Sequence, residues 1–368
     1  MSSYLAKLRF KIQNEMVNGL MVNRLFQIVN KPYIRGLAYA LSCGYYAGLS
    51  LHKSLYKMGL LQIKDAPCKV ISIGNITVGG TGKTPFALFL SDLLKKEGKR
   101  VAVVVRGYKS RDKGILISDG QDILQGVFQA GDEGYILARR LKGIPILKAK
   151  RRYIAINYAF NHFGADVIVL DDAFQYWALK RDVDIVLLNA EEPFGNGHLL
   201  PRGKLREPIS ALKRADAIVL SRTDDRAAGG WRAHLKEIFD IPIFTADYIL
   251  ESLVSIENKS YPLDYLKDTP VLAFCGISRP ERFRYTCSKL GVEIKRFIVY
   301  PDHYYYRQKD IDFLKKEAEA SGLKCLLTTE KDIVKIADCR LPIFYPKISI
   351  EIKDKQGFYR WLKKKLES

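Results

Sequence analysis

Residues 74–84 read Gly-Asn-Ile-Thr-Val-Gly-Gly-Thr-Gly-Lys-Thr, a combination suited to holding phosphate. Glycines let successive backbone N–H groups turn inward around phosphate oxygens, and a helix starting at Lys83 adds its positive end. In this reading Thr77, Val78, Gly79, Gly80, Thr81, Gly82, Lys83 and Thr84 line a nucleotide. Lys83 reaches the β- and γ-phosphates, and the Thr84 hydroxyl goes to Mg²⁺. The pattern GxxxxGK[ST] departs at one place, where Thr77 replaces glycine. A glycine-rich turn with a surface lysine is the plain alternative.

Further polar clusters follow. The apolar run 167–170 ends in Asp171 and Asp172, as a Walker B strand does when its acids hold Mg²⁺ directly or through water. Gly131-Asp132-Glu133 serves equally as a helix start or as a metal ligand or general base. His303 follows a strand and adjoins Asp302, although a lone histidine is commonly structural. The loop 194–208 is rich in Gly and Pro and carries Arg202, Lys204 and Arg206, which could meet phosphates; a surface loop with solvated charges is the alternative. Ser221-Arg222-Thr223-Asp224 stands where guanine-specific GTPases carry a base-reading motif, but has Arg in place of Lys. Thr329-Glu330-Lys331-Asp332 closes a strand, and its pattern suggests no chemistry.

The elements that must place these residues are legible from periodicity. Short apolar runs at 68–73, 100–105, 167–170, 184–189, 217–220 and 241–246 alternate with helical segments such as 83–97, which predicts a parallel α/β sheet. A polar stretch at 251–270 marks a boundary. Strands at 271–275, 293–299 and 324–328 and helices at 281–290 and 308–321 then make a smaller α/β unit. The domains expected are 1–65, helical and basic; 66–250, a P-loop core; and 251–368, the smaller unit.

The first 65 residues hold nine Lys and Arg against two acids, Glu15 and Asp65. On a helical wheel of residues 33–59, Arg35, Tyr39, Ser42, Tyr46, Ser50, Lys53 and Lys57 fall in one arc. Leu37, Leu41, Tyr45, Gly48, Leu51, Leu55 and Met58 fall on the other side. The uncharged stretch 36–52 is shorter than the ~20 residues a bilayer requires. The expectation is an amphipathic helix lying on anionic lipid; the alternative is a helix whose apolar face packs on the protein's own core.

The chain has 368 residues, 48% of them hydrophobic and 27% charged, which excludes intrinsic disorder and a polytopic membrane protein. Its formal charge of +20 calls for an anionic partner. No nucleic-acid motif accompanies that charge, so the partner expected is not nucleic acid. The six cysteines include no CxxC pair, which argues against a zinc ribbon or disulfide scaffold and for a reducing compartment. The N-terminus lacks the apolar core and cleavage site of a secretory signal.

Taken in order, residues 74–85, 106–108, 131–133, 171–175, 193–208, 301–303 and 328–332 resemble the tetraacyldisaccharide 4′-kinase family from about Arg35 to Asp332. The resemblance implies transfer of the ATP γ-phosphate, with Mg²⁺, to the 4′-hydroxyl of an acylated glucosamine disaccharide 1-phosphate. The implied setting is the cytoplasmic face of the inner membrane of a Gram-negative bacterium. It implies a P-loop core, a smaller C-terminal α/β domain and an N-terminal membrane-contacting helix. By the same resemblance Asp132 is the carboxylate that deprotonates the sugar hydroxyl, and His303 pairs with it. Lys83 and Thr84 serve the nucleotide, and Glu133, Asp171 and Asp172 group around metal and phosphates. Gln175, Arg202 and Arg206 are expected at the substrate. The chain departs from the family at Ala173, often glycine; at Tyr176, often histidine; and at Lys109, commonly glycine. A membrane-associated regulatory ATPase or GTPase is the rival reading.

Overall fold

The computed structural model describes residues 32–107, 114–221, 225–336 and 341–367. Residues 1–31 of the expected N-terminal segment therefore lie outside the described residues, as do Tyr108, Lys109 and positions 222–224 of the guanine-like motif. The chain runs α1 (Pro32–Lys57), β1 (Lys69–Gly74), α2 (Lys83–Lys96), β2 (Val101–Val105), β3 (Leu116–Ser118), α3 (Val127–Ala130) and α4 (Asp132–Arg140). It continues through β4 (Ile146–Lys148), α5 (Arg152–Phe163), β5 (Val167–Asp171), β6 (Val183–Asn189), β7 (Ala217–Ser221), α6 (Asp225–Ile238) and β8 (Ile243–Ser255). Then come β9 (Ser260–Tyr261), β10 (Pro270–Cys275), α7 (Pro280–Lys289), β11 (Glu293–Val299) and α8 (Gln308–Ala320). Last are β12 (Leu326–Leu327), α9 (Glu330–Ile333), β13 (Ile343–Ile352) and α10 (Lys355–Glu367).

The larger of two compact units comprises the described residues within 32–249 and 349–367. Its strands run in the order β8-β7-β6-β1-β5-β2-β4-β3. All pairings are parallel except that of β3 with β4. The inner strands are near-continuous runs of Val, Ile and Leu because both their faces are covered. Ile71, Ile73, Val167 and Val169 pack with Phe86 and Leu90 of α2 and Leu137 of α4. The alternate residues Val70, Ile168 and Leu170 pack with Ala155, Ile156 and Ala159 of α5. The α/β class and mostly parallel sheet read from the sequence are those of the folded chain.

The smaller unit, within 250–348, has the parallel order β11-β10-β12-β13. Val271, Ala273 and Cys275 face one cluster and Leu272 and Phe274 the other. Two features depart from the sequence reading. The stretch around 251 is not a polar linker, since β8 runs through it to Ser255. Residues 349–368, placed with the smaller domain, belong to the core unit, where Phe358 and Leu362 of α10 are fully buried. The Phe358 ring lies 5.1 Å from Phe244 and 6.0 Å from Phe86, so aromatic burial draws the last helix back to the core.

Helix α1 docks by the face that its amphipathic pattern does not suggest. Ala38 and Ser42 are buried, whereas Leu37, Leu41, Leu51 and Met58 are 54% to 62% exposed. These four apolar residues are therefore not packed on the core, although Tyr45 and Leu55 of the same side are half-buried. The surface that α1 meets offers carbonyls and charges instead. Ser42 Oγ donates to Leu199 O at 3.0 Å and accepts from Arg202 N at 3.2 Å. Tyr45 Oη, on the apolar side of the wheel, donates to Arg206 O at 2.9 Å. Lys53 Nζ lies 2.9 Å from Glu207 Oε2. Among the described residues no helix is long and apolar enough to cross a membrane.

Candidate active site

The loop between β1 and α2 is shaped by its glycines and braced on both sides. Gly79 and Gly82 have φ of 111° and 90°, a region that side-chain-bearing residues avoid. At Gly82 the Tyr248 hydroxyl occupies the space a Cβ would need. Within the loop Asn75 Nδ2 donates to Thr81 Oγ1 at 3.1 Å, and Ser221 Oγ holds Thr81 O at 2.9 Å. On the other side the 194–208 loop runs alongside. Val78 N donates to Lys204 O at 2.8 Å and Arg206 N to Ile76 O at 2.7 Å. The glycine-rich segment is thus held on both sides and opens α2, with Gly79 and Gly80 facing solvent and the Lys83 side chain largely buried.

Register places the acids. Ile73 pairs with Asp171, so the carboxyl end of β5 lies beside the start of the loop. Thr84 Oγ1 donates to Asp171 Oδ2 at 3.2 Å. Lys83 Nζ lies 3.4 Å from Asp172 Oδ1, and Arg206 Nη1 bonds both Asp172 oxygens at 2.9 and 3.2 Å. The two neighbouring acids are tuned in opposite directions. Burial, then the negative charge of Glu133, pushes Asp171 up to about 7 against the pull of Lys83. Burial also opposes charge on Asp172, but Lys83, Arg206 and Arg152 outweigh it and bring that carboxyl down to about 2.

Asp171 Oδ1 is buried with no hydrogen-bond partner. A buried carboxyl oxygen without a partner, next to a second carboxylate and a threonine hydroxyl, fits a hard cation. Mg²⁺ keeps several waters and needs only one or two protein oxygens besides substrate phosphates. Among the described residues no three or more His, Cys, Asp or Glu form a group able to hold a metal, so Glu133, Asp171 and Asp172 do not make such a cluster by themselves.

Asp132 and Glu133 open α4, as the helix-start reading expected, after Gly131 at φ 79°. Asp132 is buried and its Oδ1 accepts from Glu133 N at 3.0 Å. Gln175 Nε2 donates to Asn75 O at 2.8 Å and to Glu207 Oε1 at 3.0 Å, so it braces the phosphate loop. Arg202 stacks 5.1 Å over Tyr39 of α1, and Lys204 pairs with Glu192 at 2.7 Å. Of the loop's three cations, Arg206 is the one brought to Asp172. His303 lies in the smaller unit, after β11, with φ 59° and Nε2 3.9 Å from Asp302 Oδ1.

The sequence model of the Tetraacyldisaccharide-1-P 4′-kinase family matches residues 34–367. The chain belongs to this family. It is 39% identical over 330 residues to a tetraacyldisaccharide 4′-kinase of Syntrophus aciditrophicus, covering 85% of this chain and 88% of the relative. Against one from Halothermothrix orenii it is 41% identical over 308 residues, 78% of this chain and 79% of the relative. The crystal structure of LpxK from Aquifex aeolicus in complex with ATP superposes with a TM-score of 0.75 at 32% identity. That match spans 90% of this chain and 99% of the other.

Two parts of this kinase-family site escaped the sequence reading. Arg152, nearly inaccessible, donates through Nη2 to Asp172 O at 2.8 Å and Asp171 O at 3.3 Å, and lies 4.8 Å over the Tyr176 ring. Tyr176, where the family often has histidine, therefore supports the arginine that ties down the end of β5. The second part is a hub at Glu207, fully buried. Arg214 grips both its oxygens at 2.6 and 2.8 Å, while Lys53 of α1 and Gln175 complete it. Isolated arginines and glutamates carry no local spacing signal. Glu207, Lys53 and Gln175 stood in segments already singled out, whereas Arg152 and Arg214 did not.

Proposed function

We propose that this protein transfers the γ-phosphoryl group of ATP to the 4′-hydroxyl of tetraacyldisaccharide 1-phosphate, giving the bisphosphorylated precursor of lipid A. Membership of the kinase family supports the reaction. The observation that carries the chemistry is the meeting of Lys83 and Thr84 with Asp172 and Asp171 at the end of β5. Phosphoryl transfer is mostly positioning and charge neutralisation. The loop N–H groups and Lys83 hold the phosphate tail, and Arg206, already beside Asp172, is a cation that can exchange its carboxylate for a phosphate. Thr84, Glu133, Asp171 and Asp172 would hold Mg²⁺, which would supply neutralising charge on the phosphates. Asp132 accepts the proton of the sugar hydroxyl, a weak acid helped by a carboxylate within reach. His303 pairs with Asp132 in this reading, and Gln175, Arg202 and Arg206 serve the substrate side.

The acceptor is a lipid, and the exposed leucines of α1 give the enzyme a face for the bilayer in which it resides. A net charge of +20 suits anionic lipid at the cytoplasmic side of the inner membrane. The rival regulatory ATPase or GTPase is not favoured, since the family match covers nearly the whole described chain.

The test is an assay of purified protein with ATP, Mg²⁺ and the disaccharide 1-phosphate, locating the new phosphate. Asp132→Ala is expected to lose transfer by at least ~100-fold while still binding ATP. A phosphate at another position would overturn the assignment, and retained turnover would remove Asp132 from its role.

A further inference from the structure

The motif at 328–332, which suggested no chemistry in the sequence, lies against the turn that carries His303. In the smaller unit the carboxyl ends of β10, β11 and β12 lead to Gly276, to Pro301-Asp302-His303 and to Thr328-Thr329. Asp332 is fully buried there. Its Oδ2 accepts from Gly276 N at 3.0 Å and from Thr329 Oγ1 at 2.6 Å, and its Oδ1 lies 3.1 Å from Nζ of the equally buried Lys335. The clamped Gly276 in turn holds the turn, because its carbonyl accepts His303 N at 3.1 Å. A Cβ on Gly276 would lie 2.9 Å from Pro301 O and 3.1 Å from Asp332 Oδ1, so both groups close on a backbone with no side chain between.

Two features make this more than packing. His303 has φ 59°, a left-handed conformation that a non-glycine residue keeps only where its surroundings over-determine it. A buried ion pair is costly to desolvate and is a poor source of stability compared with apolar side chains. Such a pair is well suited to fixing one geometry, and here the carboxylate oxygen left over from Lys335 is spent on the Gly276 amide.

We infer that Asp332, charge-balanced by Lys335, is a positioning residue for His303, acting through the Gly276 backbone. This rests on the reading of His303 as the partner of the catalytic carboxylate. It assigns Asp332 no contact with substrate.

The test is a pair of double-mutant cycles with a spectroscopic readout. Asp332→Ala, and separately Gly276→Ala in case loss of the buried acid prevents folding, are each made in wild-type and His303→Ala backgrounds. Each single variant is expected to lower kcat by about a hundredfold, as a misplaced catalytic group does, with KM for ATP unchanged. In the His303→Ala background neither is expected to lower it further. Losses that multiply in that background, or no loss at all, would overturn the inference. The chain has five histidines, so the ¹⁵N ring signal of His303 is assigned by its disappearance in His303→Ala. It should shift in both variants while the other four hold; an unmoved signal would overturn the positioning role. If His303→Ala itself retains full kcat, the catalytic reading of His303 fails, and the ring signal alone decides whether Asp332 places it.

Discussion

Helices α1 and α10 are both amphipathic and basic, and they are held in opposite ways. α10 buries Phe358 and Leu362 among Phe86, Phe89 and Phe244 and leaves Lys355, Lys363 and Lys364 outside. α1 turns Ala38, Ser42, Tyr45 and Lys53 inward and leaves Leu37, Leu41, Leu51 and Met58 outside. An amphipathic pattern identifies two faces but not which one the protein keeps for itself. That choice depends on the receiving surface. The α2 side of the sheet offers aromatic area, whereas the 194–208 loop offers carbonyls and the buried carboxylate of Glu207.

The comparison is sharpest where the helices are cut. Phe358→Ala is expected to destabilise the core unit by about 3–5 kcal/mol in chemical denaturation, the cost of emptying a large buried aromatic site. A loss below about 1 kcal/mol would mean that α10 is dispensable. Glu207→Gln leaves Arg214 and Lys53 without their counter-charge and should cost about 3 kcal/mol. Limited proteolysis should then cut within 32–57 before any other described segment.

Lys53→Met removes one of two cations from the same carboxylate and should cost about 1–2 kcal/mol at pH 7. Arg214 and Lys53 hold Glu207 below its ordinary 4.5 although burial works the other way. A lowered carboxylate stabilises the fold above its unfolded value and loses that contribution as pH falls through its folded value. The gap between wild type and Lys53→Met should therefore be full above about pH 4.5 and close in acid. A gap unchanged at pH 3 would dissociate α1 docking from the Glu207 charge. The smallest expected effect on stability is that of Leu37→Asn, Leu41→Asn and Leu51→Asn together, within about 0.5 kcal/mol. The same triple variant should lose co-sedimentation with anionic vesicles. Should it unfold the protein instead, the outward face of α1 would be part of the core.

Local pattern made much of the site legible. A strand, a glycine-rich loop and a helix announced Lys83 and Thr84, and an apolar run ending in two acids announced Asp171 and Asp172. These signals are contiguous because one turn of backbone builds each of them. What stayed hidden depends on partners far apart in the chain. Arg152 meets Asp172 twenty residues on, Lys53 meets Glu207 across the loop, and Tyr248 fills the space beside Gly82. The placement of α10 on the core was hidden for the same reason, since its apolar spacing fits any apolar surface. The opposite tuning of Asp171 and Asp172 could not be read from two identical letters. Burial raises both; Glu133 adds to it at Asp171, whereas Lys83 and Arg206 outweigh it at Asp172.

Docking through Ser42, Tyr45 and Lys53 has a consequence for the rest of α1. The outward leucines are exposed and add little to the fold, so in the proposed function substitutions there would change lipid contact alone. The inward serine, tyrosine and lysine have a different task, that of keeping the helix seated. Changes on the outward face of this one helix thus spare the scaffold that carries residues 74–84.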